Sequence, residues 1–155
     1  MKAVTYSAFG SAAEVLSVQE IETPKPGAGE VLVDLAFSGV NPSDVKSRTG
    51  SRVGVTKPAF PLIAPHSDGA GVISAVGEGV AESRIGERVW IWNGQWRRAL
   101  GTCAEKIALP SDQAVVLPDS VDLETGAVLG IPGLTATYVV VIFSIIVQGL
   151  TVARL

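Results

Sequence analysis

A single histidine, His66, and a single cysteine, Cys103, limit the metal and thiol chemistry open to this chain. A catalytic zinc takes three protein ligands, commonly Cys and His, and keeps a fourth position open. Cys103 falls on a predicted strand, away from His66, so no metal site is expected. His66 reads as a neutral loop histidine. One cysteine also rules out an internal disulfide, which is compatible with a reducing compartment. The other chemistry-bearing side chains gather in "SGVNPSDVKSRTG", residues 38–50, which holds Asn41, Asp44, Lys46 and Arg48. Asp44 reads first as a helix-start acid, and otherwise as an i, i+4 partner of Arg48. Trp90 and Trp92 share a strand face at a spacing of two. They read either as core or rim packing or as the wall of an aromatic-substrate pocket. The glycines of "GEGV" mark a turn, not a phosphate loop.

The surrounding elements are mostly strands. "GEVLVDLAFSGV" alternates most clearly, with Val31, Val33, Leu35 and Phe37 on one face and Asp34 on the other. "MKAVTYSA", "EVLSVQEIETP", "DGAGVISAVGEGV", "IGERVWIW", "GTCAEKIALP" and "DQAVVLP" read as further strands closed by glycine or proline. "NPSDVKSRTG" reads as a short helix, with Pro42 in its first turn and Gly50 as its stop. A second helix is expected to start from Asp119 or Ser120, with Asp122 and Glu124 near its positive end. Short strands with frequent turns predict a mainly β fold, a barrel or sandwich with short helices.

Composition narrows the function. The chain has 155 residues, enough for one domain with a real core. Its net charge is −3 and its strongest basic feature is the pair Arg97-Arg98, so no nucleic-acid partner is expected. The N-terminus lacks the apolar core of a signal peptide, and a cytoplasmic location is expected.

Three stretches occur in a telling order: residues 38–50, "PLIAPHSDGAGVISAVGEGV" at 61–80, and "LPDSVDLETGAVLGIPGLTAT" at 117–137. With "GERVW" at 86–90 and "GTCAEKIALP" at 101–110, they resemble the N-terminal, GroES-like half of medium-chain dehydrogenases/reductases. The pattern is most similar to the zinc-free quinone oxidoreductase, zeta-crystallin-like branch. Zinc alcohol dehydrogenases carry a Cys-His pair where this chain has Asn41-Pro42, and His-Glu where it has Ser67-Asp68. The resemblance implies a GroES-like, partly open β-barrel over residues 1–125 as the catalytic domain. It implies a crossover segment over 126–137 leading to a dinucleotide-binding half. It also implies NADPH as cofactor, a small-molecule quinone or enone as substrate, and a homo-oligomer in the full-length family. On it, Asn41 lies beside nicotinamide and substrate, Thr135 approaches the nicotinamide, Lys46 is a candidate proton source, and Arg48 and Trp92 line the substrate pocket. Many relatives carry tyrosine at the position of Lys46. The lysine therefore reads either as a selector for anionic or polar substrates or as a solvated charge.

No strand–glycine turn–helix unit for a dinucleotide is found in the sequence, so the Rossmann half is expected to be missing and the reductase truncated. Residues 138–155 form an atypical hydrophobic tail that departs from the family near Thr137-Tyr138. Its "FSIIVQGLTV" resembles a transmembrane segment of sodium/proton antiporters. From Thr125 to Ala153 the sequence carries no charge. The dense β-branching favours a strand locally, while the family context favours a helix. Membrane contact is expected only through this tail, the other reading being a segment packed on the barrel. Two rival readings stand beside the enzyme: a non-catalytic GroES-like module and a membrane-tethered fragment.

Overall fold

A computed structural model describes residues 1–152, with side chains as far as Val147. Seven strands form two open antiparallel sheets. β1 (Lys2–Thr5) pairs with β2 (Ser17–Glu20). β3 (Glu30–Gly39), β4 (Asp68–Val76), β5 (Arg88–Ile91), β6 (Lys106–Pro110) and β7 (Ala114–Val116) form the larger sheet in the order β6-β3-β4-β5-β7. Bridges from Ala3 to Ala104 and from Tyr6 to Ile63 tie the smaller sheet to loops of the larger one, leaving a partly open barrel. All named strand pairings among the described residues are antiparallel, so they contain no βαβ unit.

Alternation builds the core. Val31 and Val33 of β3, Val89 and Ile91 of β5, and Ile107 and Leu109 of β6 are fully buried, with Ile73 of β4 packed among them. The expected face of β3 does not persist along its length. Register shifts fall between Leu32 and Val33 and between Leu35 and Phe37. The first shift inserts Ser74 into β4 and the second inserts Ala36 into β3. Leu35 therefore stays on the core face, half-buried, and past Ala36 the alternation of β3 reverses, which leaves Phe37 44% exposed. Cys103 corrects another expectation: it sits in a bend before β6 rather than on a strand.

Among the described residues four α-helices, α1 (Ala12–Val15), α2 (Pro42–Thr49), α3 (Leu123–Gly126) and α4 (Leu134–Val152), join two 3-10 turns at Glu82–Arg84 and Ser111–Gln113. The start of α3 lies at Asp122, whose carboxylate accepts from the Thr125 amide at 2.6 Å, and not at Asp119 or Ser120. Leu129–Gly133 forms a π-type turn around Pro132, and α4 follows directly. The hydrophobic tail is thus helical as far as Val152, with residues 153–155 outside the described chain. It does not pack on the sheets: Tyr138, Val139, Val140 and Phe143 are exposed, Phe143 by 67%.

Candidate active site

The site grows from the start of α2. Asn41 is extended at φ −120° and precedes Pro42, whose missing N–H costs nothing in a first helical turn. The Asn41 amide donates to Asp44 Oδ2 at 2.7 Å, and the Asp44 amide returns a bond to the Asn41 carbonyl at 3.0 Å. This satisfies donors that a helix start leaves open. Asp44 is therefore the helix-start acid, and it makes no ion pair with Arg48. Arg48 instead donates to the Gly10 carbonyl and fastens α2 to the turn before α1. Gly50, at φ +71°, closes the helix.

Beneath this start lies a buried brace. Asn41 Nδ2 donates to Asp68 Oδ2 at 2.8 Å, and the Ile131 amide donates to the same oxygen at 2.8 Å. Asn41 is 3% exposed and Asp68 is 1% exposed. One carboxylate oxygen thus joins α2, the first residue of β4 and the crossover turn. Asp68 Oδ1 has no partner among the described residues, and a Cβ built on Gly130 falls 2.2 Å from it. Only glycine lets the crossover lie this close. Burial pushes the Asp68 carboxyl above the ordinary aspartate value, more than the bonds from Asn41 and Ile131 pull it down, and the charge of Asp44 pushes the same way. Burial also raises Asp44, against the bond from Asn41 and the charge of Arg52.

His66 belongs to a second polar chain. Its Nδ1 lies 2.9 Å from Ser38 Oγ, which lies 2.9 Å from Thr102 Oγ1. Thr102 Oγ1 donates to the Asp68 carbonyl at 2.6 Å. Burial lowers the His66 pKa, which keeps the ring neutral, and burial raises the Cys103 thiol, which keeps it protonated. Among the described residues no group of three or more His, Cys, Asp and Glu side chains is placed to hold a metal ion. The donor set does not fit a catalytic zinc.

A cavity of about 390 Å³ opens beside the brace. Its aromatic walls are Tyr6, Phe9, Phe60 and Trp96, and Ile131 of the crossover turn lines it too. Tyr6 is buried, its side chain bonds to that of Gln95, and burial raises its phenol pKa. The residues singled out from the sequence distribute unevenly around this cavity. Asn41 lies in the brace, behind the wall. Lys46 is exposed on α2, and its ammonium has no partner among the described residues. Thr135 is exposed on the first turn of α4. Arg48 and Trp92 are not part of the lining, and Trp92 Nε1 donates to the Asp112 carbonyl at 3.2 Å. Of the three tryptophans Trp96 lines the cavity. Sequence reasoning missed Asp68, Tyr6 and Trp96 as site residues. An uncompensated acid opening a run of small residues, "DGAG", was the available signal for Asp68.

The profile described as alcohol dehydrogenase GroES-like domain matches residues 27–149, most of the chain. The chain belongs to this family. The GroES-like match takes in the brace, the cavity's crossover wall and most of α4. Among curated relatives, the quinone oxidoreductase of Rattus norvegicus is 38% identical over 138 residues, covering 88% of this chain and 39% of that protein. The synaptic vesicle membrane protein VAT-1 homolog of Homo sapiens is 30% identical over 152 residues, covering 96% of this chain and 36% of that protein. Two solved structures are similar in fold, each with a TM-score of 0.77. The Pseudomonas syringae quinone oxidoreductase is 34% identical, over 89% of this chain and 40% of that one. The Escherichia coli quinone oxidoreductase complexed with NADPH is 27% identical, over 90% and 40%. The chain spans about two fifths of the length of these relatives. It resembles the GroES-like half of the zinc-free quinone oxidoreductases.

Proposed function

We propose that this chain forms the substrate-side wall of an NADPH-dependent, zinc-independent quinone or enone oxidoreductase of the cytoplasm. One observation carries the reading. The Asn41–Asp68–Ile131 brace sets the crossover turn against an aromatic-walled cavity of about 390 Å³. That is the size and lining of a site for a flat small molecule. When bound, NADPH supplies the hydride. The described residues offer no glycine-rich strand-to-helix cradle for its phosphates, so this chain's part is to bind and orient the quinone. Tyr6, Phe60 and Trp96 hold the ring. Asn41 and Asp68 hold the crossover in place, and Thr135 lies on the side where that turn leads into α4. The proton that completes the reduction comes from water, a role Lys46 shares only by reaching in from the exposed side of α2.

The test is a titration of the chain with 1,4-naphthoquinone, read by tryptophan emission. Trp96 on the cavity wall predicts saturable quenching, and Trp96→Phe is expected to remove most of it. Linear quenching matching that of free tryptophan, with no saturation, overturns the reading.

The exposure of α4 favours a second reading, a membrane tether. Its apolar side chains cover consecutive positions from Val139 to Phe143 and so every side of the helix. The window Leu129–Val147 has a mean hydropathy of 2.1 and is 6% buried. Nineteen helical residues extend about 28 Å, close to the roughly 30 Å of a hydrocarbon core. This reading predicts that the chain floats with phosphatidylcholine vesicles in a density gradient and that Val140→Lys with Phe143→Lys abolishes flotation. Recovery of the unaltered chain at the bottom of the gradient rejects it.

A further inference from the structure

The charges around the cavity point to a narrower class of ligand. In a chain of net charge −3, the cavity is lined by Arg52, Arg97 and Arg98 and by one acid, Asp44. That acid is already engaged by the Asn41 amide and buried at 6% exposure. Arg98 is engaged as well. It donates to the Gly94 carbonyl and to Gln113 Oε1, each at 2.8 Å, and so holds the turn on which it sits. Arg52 and Arg97 differ. Both are exposed, and neither forms a hydrogen bond or ion pair through its guanidinium among the described residues. The guanidinium of Arg97 lies 5.5 Å from the centroid of the Trp96 ring, so a cation is stacked against an aromatic wall.

The turn that presents Arg97 is rigid and strained. Asn93 and Arg97 both have left-handed backbones, at φ +52° and +57°. Arginine seldom adopts this conformation, and such strain persists only where the surroundings enforce it. They do: the Gly94 amide donates to the Ser67 carbonyl at 2.7 Å and the Trp96 amide to the Asn93 carbonyl at 2.9 Å. The left-handed residue sets Arg97 directly after Trp96 at the cavity. Arg52 comes from the loop beyond α2, where its charge also acts on Asp44, so two exposed cations without a direct ion pair reach the aromatic cleft from different segments.

We infer that the cleft selects aromatic quinones that carry an anionic substituent, with Arg52 and Arg97 as the specificity-determining residues. The inference rests on the quinone reading given above. The ring lies among Tyr6, Phe60 and Trp96, and a carboxylate or sulfonate meets the two guanidiniums.

The test compares anthraquinone-2-sulfonate with its neutral analogue 2-(hydroxymethyl)anthraquinone by calorimetric titration of the full chain. The sulfonate is expected to bind roughly tenfold tighter at low salt, the scale of two solvent-facing charge contacts. Arg52→Gln with Arg97→Gln is expected to bring the ratio to about one without weakening the neutral ligand. Raising the salt should do the same to the unaltered chain, independently of any effect of substitution on folding. Equal affinity for the two anthraquinones overturns the charge selection and leaves the quinone reading standing. Naphthalene-2-sulfonate binding as tightly as the anthraquinone sulfonate keeps the charge selection and removes the quinone reading. Absence of saturable binding for every ligand overturns both. Nicotinamide mononucleotide, an anionic aromatic of different origin, is expected not to displace the sulfonate. Displacement at similar concentration would assign the two arginines to the cofactor and overturn their role with substrate.

Discussion

Gly71→Ala is expected to lower the thermal midpoint by roughly 6 °C or more, a loss of about 3 kcal/mol or above in a domain of this size. Gly71 lies in the centre of the larger sheet, paired with Leu35 on β3 and with Val89 on β5. The shift between Leu35 and Phe37 bows β3 over it. A Cβ at position 71 falls 2.0 Å from the Asp34 carbonyl oxygen and 3.0 Å from the Leu35 Cα. These are backbone atoms, and no rotamer change moves them aside. The two strands must separate, and with them the alignment of β4 that carries Asp68 to the brace. Gly79→Ala is the control. Its Cβ meets nothing within 4 Å, and an alanine at its φ of +83° costs about 1–2 kcal/mol. Melting curves by circular dichroism decide the matter. A Gly71→Ala midpoint within about 2 °C of the parent would show that the sheet yields at this point.

Asp68→Ala and Asp68→Asn should separate sharply. Alanine removes the acceptor for both Asn41 Nδ2 and the Ile131 amide. Leaving two donors without partners costs roughly 3 kcal/mol. Asparagine keeps the brace, because both donors converge on one oxygen and a side-chain amide still offers one oxygen there. Its nitrogen takes the place of Oδ1, which has no partner among the described residues. The pH dependence follows from the raised pKa of Asp68. A carboxyl raised in the folded state contributes stability that is fully present below its unfolded pKa, near 3.8, and is lost as pH rises through the folded pKa. The parent should therefore lose stability relative to Asp68→Asn as pH climbs from about 4, by at most about 1.4 kcal/mol per pH unit. Asp44, raised in the same direction, is common to both proteins and largely cancels in the difference. Urea unfolding between about pH 4 and pH 8 measures this. A difference that stays flat across that range, or an asparagine variant as weak as the alanine one, would contradict the account.

Much of the local structure was legible in the residues. Period-two alternation located β3, because one face of it must be buried, and the glycines and prolines that close them marked β5 and β6. Proline and glycine at residues 42 and 50 bounded α2, because each favours one end of a helix. The apolar tail was ambiguous. Its β-branched residues fit a strand, and the helix observed starts from the crossover turn that precedes them. The bulge at Ala36 of β3 left no trace in the alternation, and so Phe37 was assigned to the wrong face.

The site was legible only in part. Asn41 stood out because the surrounding motif resembled a known half-domain, yet its amide reaches a residue 27 positions away. Asp68 also accepts from a residue 63 positions away. Trp92 looked like a wall because it alternates with Trp90. The strand ends at Ile91, and beyond it the Trp92 indole turns to the Asp112 carbonyl. Trp96, which lines the cavity, sits in a turn whose shape depends on left-handed residues at 93 and 97.

By itself the sequence located most of the strands and the boundaries of α2, which follow from short-range rules of periodicity, turn residues and capping, and its motifs carried the resemblance to the family. Tertiary structure alone decided that Asp68 joins α2 to the crossover and that Arg52 and Arg97 face one aromatic cleft. Those facts depend on contacts between distant segments, and the position of each segment is set by how the sheets twist, bulge and pack rather than by the residues nearest to it.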